Sequence, residues 1–168
     1  EEMLPRMVEE GLCDACDVFA EPGVFNLEQS RAVLQKAKDL GLSLRVHADE
    51  LQPMGGAGLA VALGAASADH LGRISDADIK AMAASDTVGV MLPGTLAFLA
   101  REPYPPARKM IEAGCAVALA SDFNPGSCYT QSLPLITTLA CNRLHMTPEE
   151  CITAMTINPA VSLGLGDR

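Results

Sequence analysis

Aromatic residues are scarce: there is no tryptophan, and only two tyrosines and four phenylalanines occur in 168 residues. That composition argues against a ligand-gripping aromatic surface. Basic residues are few as well. Twelve Lys and Arg stand against 21 Asp and Glu, for a formal charge of −9, and no basic cluster breaks the excess, so nucleic acid and anionic lipid are repelled. No apolar run approaches the roughly 20 residues of a membrane span. The opening Glu1-Glu2-Met3-Leu4-Pro5-Arg6 lacks the basic and apolar regions of a signal peptide. The expectation is a cytoplasmic protein with neither a membrane nor a nucleic-acid partner. Six cysteines lie mostly within apolar segments, as reduced core residues do. Cys13 and Cys16 spell a C-x-x-C, but no second ligand pair follows at zinc-finger spacing.

What is abundant is aliphatic: 49% of the residues are hydrophobic, chiefly Ala, Val, Leu, Ile and Met, enough for one well-buried core and too few residues for two ordinary domains. Residues 1–168 are expected to form one folding unit. Short β-rich runs alternate with helical patterns. Strands are predicted at 15–19, 43–47, 66–70, 87–92 and 116–120. Asn26 with Gln29 forms a capping box for a helix whose Leu27, Val33, Leu34, Ala37 and Leu40 keep one face, and Gly41 supplies its left-handed stop. Later helices are predicted around 58–63, from the Ser75 cap through Ala83, from Pro105 to Gly114, over 134–144, and from the box Thr147-Pro148-Glu149-Glu150. Strand centres fall roughly 20 to 30 residues apart, the period of a (β/α)8 barrel whose eight units need about 250 residues. The fold predicted is α/β, a partial (β/α)8 barrel of about the last five β/α units, lacking the N-terminal strands and a small β domain. An open doubly wound sheet is the rival, yet no G-x-G-x-x-G or P-loop follows any strand.

Four of the five predicted strands end in polar groups: His47-Ala48-Asp49-Glu50, Asp69-His70, Pro93-Gly94-Thr95, and Ser121-Asp122-Phe123-Asn124. In a barrel these carboxyl ends converge on one mouth, where catalytic residues gather. An imidazole and a carboxylate, His47 and Asp122, can hold one divalent ion, Zn²⁺ or Fe²⁺, and leave positions open for water. Two such ligands are too few to hold it tightly. Glu50 could move protons to or from a substrate, and His70 could steady the developing charge of an attacking water. Each residue also has a bland reading: a satisfied core histidine, a solvated loop charge, or an Asx turn at Asp122 and Asn124 ahead of Pro125-Gly126. Their joint placement at strand ends favours chemistry. Arg45 alternates onto the same face as His47, so a buried carboxylate is expected to pair with it. His145, near a helix end, is explained by the helix dipole.

The strings His47-Ala48-Asp49-Glu50-Leu51, Ser67-Ala68-Asp69-His70-Leu71 and Ala120-Ser121-Asp122-Phe123-Asn124-Pro125-Gly126-Ser127 resemble the imidazolonepropionase family of the amidohydrolase superfamily. Asp17-Val18-Phe19 and Thr156-Ile157-Asn158-Pro159-Ala160 extend the likeness over almost the whole chain. The resemblance implies metal ligation by His47 and Asp122, with Asp122 also taking a proton from the attacking water. It places Glu50 against the imidazolone ring and His70 beside the hydrolytic water, with Asn124, Gly126 and Ser127 holding substrate or product. The reaction implied is hydrolysis of 4-imidazolone-5-propanoate to N-formimino-L-glutamate, in histidine degradation. The family's His-x-His pair has no counterpart, since none of His47, His70 and His145 are two apart. A cyclic-amidine deaminase of the same superfamily, or a non-catalytic half-barrel, are the alternatives. Five strands leave two edges, which predicts pairing either with a second copy or with earlier strands of the same protein.

Overall fold

A computed structural model describes residues 2–167. Five strands, β1 (Ala15–Ala20), β2 (Ser43–Ala48), β3 (Ser67–His70), β4 (Val88–Met91) and β5 (Val117–Leu119), form one sheet in the order β1-β2-β3-β4-β5. Every neighbouring pair is parallel. Each crossover therefore steps in the same direction, as in a barrel, whereas a doubly wound sheet reverses at a switch point. The sheet is part of a (β/α)8 barrel, as the strand spacing predicts.

Around the strands lie α1 (Met3–Glu9), α2 (Leu27–Asp39), α3 (Gly56–Leu63), α4 (Asp76–Ala83), α5 (Pro93–Phe98), α6 (Ala107–Glu112), α7 (Leu133–Arg143), α8 (Pro148–Met155) and α9 (Ile157–Ser162). The Asn26–Gln29 capping box is reciprocal, Gln29 N–H to Asn26 Oδ1 at 2.9 Å and Asn26 N–H to Gln29 Oε1 at 3.0 Å. Leu34 and Ala37 of α2 are fully buried against Val18 and Ala20 of β1 and Leu44 and Val46 of β2, in one aliphatic core. Each large side chain buried there contributes about 1.5 to 3 kcal/mol. Alternation then turns Asp17 and Phe19, or Arg45 and His47, to the opposite, barrel-interior face.

Strand and helix limits agree with expectation to within a residue or two, apart from three elements. α1, α5 and α9 are additional, and Pro93-Gly94 opens a helix because proline is accommodated in a first turn. Among the described residues Arg45 makes no ion pair with a carboxylate. Its guanidinium donates to Ser67 Oγ at 3.3 Å, Ser162 Oγ at 3.1 Å and Ser162 O at 3.0 Å, so it caps the end of α9 and ties that helix to the strand starts. All six cysteines, Cys13 and Cys16 among them, are free thiols. No helix among the described residues is long and apolar enough to cross a membrane.

Candidate metal centre

His47 sits at the end of β2, facing inward, with register partners Phe19 on β1 and Asp69 on β3. Its ring lies 5.6 Å from the Phe19 ring and 5.2 Å from the His70 ring, centroid to centroid. Its Nδ1 is 2.8 Å from Asp17 Oδ2, a charged contact whose angle falls short of hydrogen-bond geometry. The Asp17 carboxylate raises the His47 pKa above the ordinary imidazole value, with burial opposing it. Burial pushes the Asp69 carboxyl up to about 6, and its Oδ1 is buried with no hydrogen-bond partner. Ligand atoms of Asp17, His47 and Asp69 all lie within 4.8 Å of one another, which makes them candidate ligands by proximity alone.

His70 closes β3 with a left-handed backbone, φ 74°. Burial, reinforced by the nearby His47, lowers its pKa to about 4, so at neutral pH it is an uncharged imidazole. Glu50 Oε2 lies 3.6 Å from His70 Nε2, beyond a direct hydrogen bond. Desolvation raises the Glu50 pKa, the direction that suits a proton carrier at neutral pH.

Asp122, also left-handed at φ 52°, accepts a hydrogen bond from the Thr95 hydroxyl of α5. Only glycine at position 94 lets α5 come this close. A Cβ there would lie 2.8 Å from Cys128 Sγ and 3.0 Å from Ile136 Cδ1. His47, Asp69 and Asp122 line one cavity of about 290 Å³, with Arg45 and Ser67 at its strand-start end and Pro159 and Ser162 of α9 beside them.

Of the residues singled out from sequence, then, His47 and Asp122 share a cavity, and His70 with Glu50 forms a pair beside His47. Asn124, Gly126 and Ser127 meet one another instead. Asn124 Oδ1 accepts from Gly126 N–H and Ser127 N–H, both at 2.8 Å, while its Nδ2 donates to Asp122 O and Ser127 Oγ, both at 2.8 Å. The loop is an Asx-type turn that fixes the backbone under Asp122.

Four residues escape the sequence reading. Asp17 and Asp69 stand beside His47 only once the strands are in register. Buried Glu21, on the inward side of β1, accepts the Leu51 N–H at 2.9 Å through Oε1, and its Oε2 is buried without a partner. Buried Asp49 takes four backbone N–H groups, those of Met54 and Gly55 at 2.7 Å, Gly56 at 3.3 Å and Ala57 at 2.9 Å. It caps α3 from a distance, where the N-cap itself, Gly55, has no side chain to offer. The signal available for Asp49 is that lack: a helix opening on Gly55-Gly56 must find its acceptor elsewhere.

A parallel sheet wound in sequence order, with imidazole and carboxylate donors gathered where its strands end, is the arrangement of (β/α)-barrel proteins that hold a metal at the mouth. Residues 18–168 match the amidohydrolase family, and the chain belongs to it. Among curated proteins it is 57% identical to an imidazolonepropionase of Porphyromonas gingivalis over 166 residues, 99% of this chain and 39% of that protein. It is 54% identical to one of Bacteroides thetaiotaomicron, covering 99% of this chain and 40% of that protein. The chain thus spans about two-fifths of the length of these relatives. Among solved structures, an adenosine deaminase from Xanthomonas campestris with bound zinc superposes with a TM-score of 0.75 at 21% identity, over 98% of this chain and 43% of that one. A 5-methylcytosine deaminase from Klebsiella pneumoniae gives 0.77 at 20% identity, over 99% of this chain and 48% of that one. At such identity the likeness is one of fold.

Proposed function

We propose that this chain supplies the metal- and water-handling half of a hydrolase that opens the cyclic amide of 4-imidazolone-5-propanoate to N-formimino-L-glutamate, a step of histidine degradation. The observation that carries the reading is that His47 and Asp122, from two strand ends, line one inward-facing cavity with the His70–Glu50 pair beside His47, together with the 57% identity to an imidazolonepropionase.

The donor set fits one divalent cation, zinc or iron. An imidazole and carboxylates are suitable ligands for either, and Asp69 Oδ1 is a buried carboxylate oxygen without a hydrogen-bond partner. His47 and Asp122 would hold the ion, which when bound acidifies water and polarises the amide carbonyl. Asp122, positioned by Thr95, takes the proton of the attacking water and passes it to the ring nitrogen as the C–N bond breaks. Uncharged His70 accepts a hydrogen bond from that water. Glu50 faces the imidazolone ring, and the turn of Asn124, Gly126 and Ser127 forms the rim against which substrate and product lie.

His47 and Asp122 are fewer than the three protein ligands of a typical catalytic site, so turnover requires further ligands and strands. These are either the remainder of an enzyme as long as the relatives or a second copy. The edges of β1 and β5, each paired on one side only, are where those strands join, making residues 1–168 one partial barrel domain. Free thiols and a charge of −9 suit a cytoplasmic protein.

The test is a protein of the relatives' full length that carries this segment, loaded with zinc or iron and given imidazolonepropanoate. Loss of the imidazolone absorbance should accompany formation of N-formimino-L-glutamate. Asp122→Asn should lower kcat by 10³-fold or more, in the range of other essential catalytic groups, with the fold intact. Ammonia as the first product would instead assign a deaminase.

A further inference from the structure

Asp17 has no role in the chemistry above, yet it makes the shortest polar contact of the proposed ligand His47. We propose that Asp17 is a positioning residue: by engaging Nδ1 it holds the neutral His47 ring in its Nδ1–H tautomer and leaves Nε2 as the nitrogen offered to a divalent cation. The second half of this statement rests on the metal-dependent reading just given, and the first half does not.

Position is the first argument. The residue directly across from Asp17 on β2 is Arg45, with which a carboxylate would ordinarily pair. Arg45 is instead engaged by Ser67 and Ser162, and the Asp17 carboxylate reaches two residues along the neighbouring strand to His47.

Distance is the second. Ligands to one tetrahedral zinc, at bond lengths of about 2.0 to 2.1 Å, stand about 3.3 Å apart. The Nδ1–Oδ2 separation is 2.8 Å, the length of a direct charge-assisted contact. Asp17 and Nδ1 therefore touch each other and leave no place for a shared ion between them. The N–H is not fully aligned on the oxygen, but the terminal torsion of histidine is broad and lets the ring turn at little energetic cost. Phe19 and His70 on either side restrict its tilt.

Chemistry is the third. Metal-binding histidines commonly donate their other N–H to a carboxylate, which fixes the tautomer and makes the ligating nitrogen more basic.

Long-range ¹⁵N–¹H correlation spectra of the metal-free chain, recorded at a pH where His47 is neutral, test the first half. Wild type and Asp17→Asn, whose side-chain carbonyl still accepts, should show Nδ1–H; Asp17→Ala should show a mixture. Competition with a chelating dye for Zn²⁺, in a protein of the relatives' full length that carries this segment, tests the second half. Asp17→Ala should weaken binding 10- to 100-fold, the usual effect of losing such a partner, and Asp17→Asn by less. An Nε2–H or mixed wild-type tautomer would overturn the proposal. So would Asp17→Asn losing as much zinc affinity as Asp17→Ala, since an amide replaces an orienting carboxylate far better than a ligating one. The tautomer is measured without metal or substrate, so an Nδ1–H wild type whose full-length counterpart binds no zinc would refute the metal-dependent reading and leave the orientation standing. Both substitutions are at a half-exposed side chain, and cooperative unfolding confirms that the fold is retained.

Discussion

The two ends of the sheet solve the same geometric problem with different residues. Where helices lead into strands, the chain turns through the left-handed region on glycine: Gly11 before β1, Gly41 before β2, Gly64 before β3 and Gly114 before β5. Where strands lead out, glycine is used at Gly23 and Gly55, but Asp49 after β2, His70 and Leu71 at the end of β3, and Asp122 after β5 are left-handed as well. Left-handed backbone is nearly free for glycine and costs other residues roughly 1 to 2 kcal/mol. The inlet end takes the cheaper solution because nothing there needs a side chain. The outlet end accepts strain so that a carboxylate or an imidazole occupies the turn itself, the pattern of a functional face.

Asp49→Ala should break this contrast most strongly. It relieves no strain, since alanine also has a Cβ, and it leaves four backbone N–H groups at the start of α3 without their acceptor. With each buried unmet donor worth about 1 to 3 kcal/mol and water reaching some of them, urea unfolding should show a loss of roughly 3 to 5 kcal/mol. Asp49→Asn keeps one acceptor oxygen and should lie between. A loss below about 1 kcal/mol for Asp49→Ala would mean that the outlet carboxylates are not structural at all.

At the inlet end the expected effect is smaller. Gly41 has φ 82°, and a Cβ there would meet nothing within 4 Å, so Gly41→Ala isolates backbone strain from steric clash. Thermal unfolding should report a destabilisation of about 1 kcal/mol, with the strain partly offset by the reduced freedom of the unfolded chain. Were Gly41→Ala as damaging as Asp49→Ala, the division of labour between the two ends would be lost.

The same division explains what is legible in the sequence. β5 can be read from its apolar run between turn signals, β2 from the alternation of Leu44 and Val46 with Arg45 and His47, and α2 and α8 from their capping boxes, because those signals are local. His47, His70 and Asp122 are legible as strand-end residues for the same reason. Asp17 and Asp69 are not legible as neighbours of His47, since their approach depends on the register of three strands, which no single segment encodes. Asp49 is hidden because the groups it satisfies lie five to eight residues ahead. α5 and α9, not predicted from sequence, each carry a proline within the first turn of a short helix, where proline is tolerated. The partners of Arg45 are out of reach altogether, since Ser162 is 117 residues away.

The smallest effect expected lies away from both ends, where α8 is joined to α6. Arg108 Nη1 and Nη2 donate to Glu150 Oε2 and Oε1 at 3.0 and 2.7 Å, and Glu150 Oε2 also accepts the Thr147 N–H of the α8 capping box at 2.8 Å. The Arg108 side chain, with help from that backbone bond, holds the Glu150 pKa below the ordinary carboxylate value. A folded pKa that is depressed means that the unfolded chain binds the proton more readily. The ion pair therefore stabilises the fold above the unfolded carboxylate pKa, and that contribution disappears as pH falls through the lower folded value. Glu150→Gln keeps one oxygen for the cap, and removes the charge together with one of the two oxygens that accept from Arg108. At pH 7 it should be less stable by a few tenths of a kcal/mol, as befits a solvent-accessible pair, and high salt should shrink the difference. Unfolding curves of wild type and Glu150→Gln should converge as the pH is lowered through the carboxylate range. A difference that stays constant from pH 7 down to pH 3 would mean that the charge contributes nothing, and that Glu150 holds α8 solely through the hydrogen-bonding shape its amide shares.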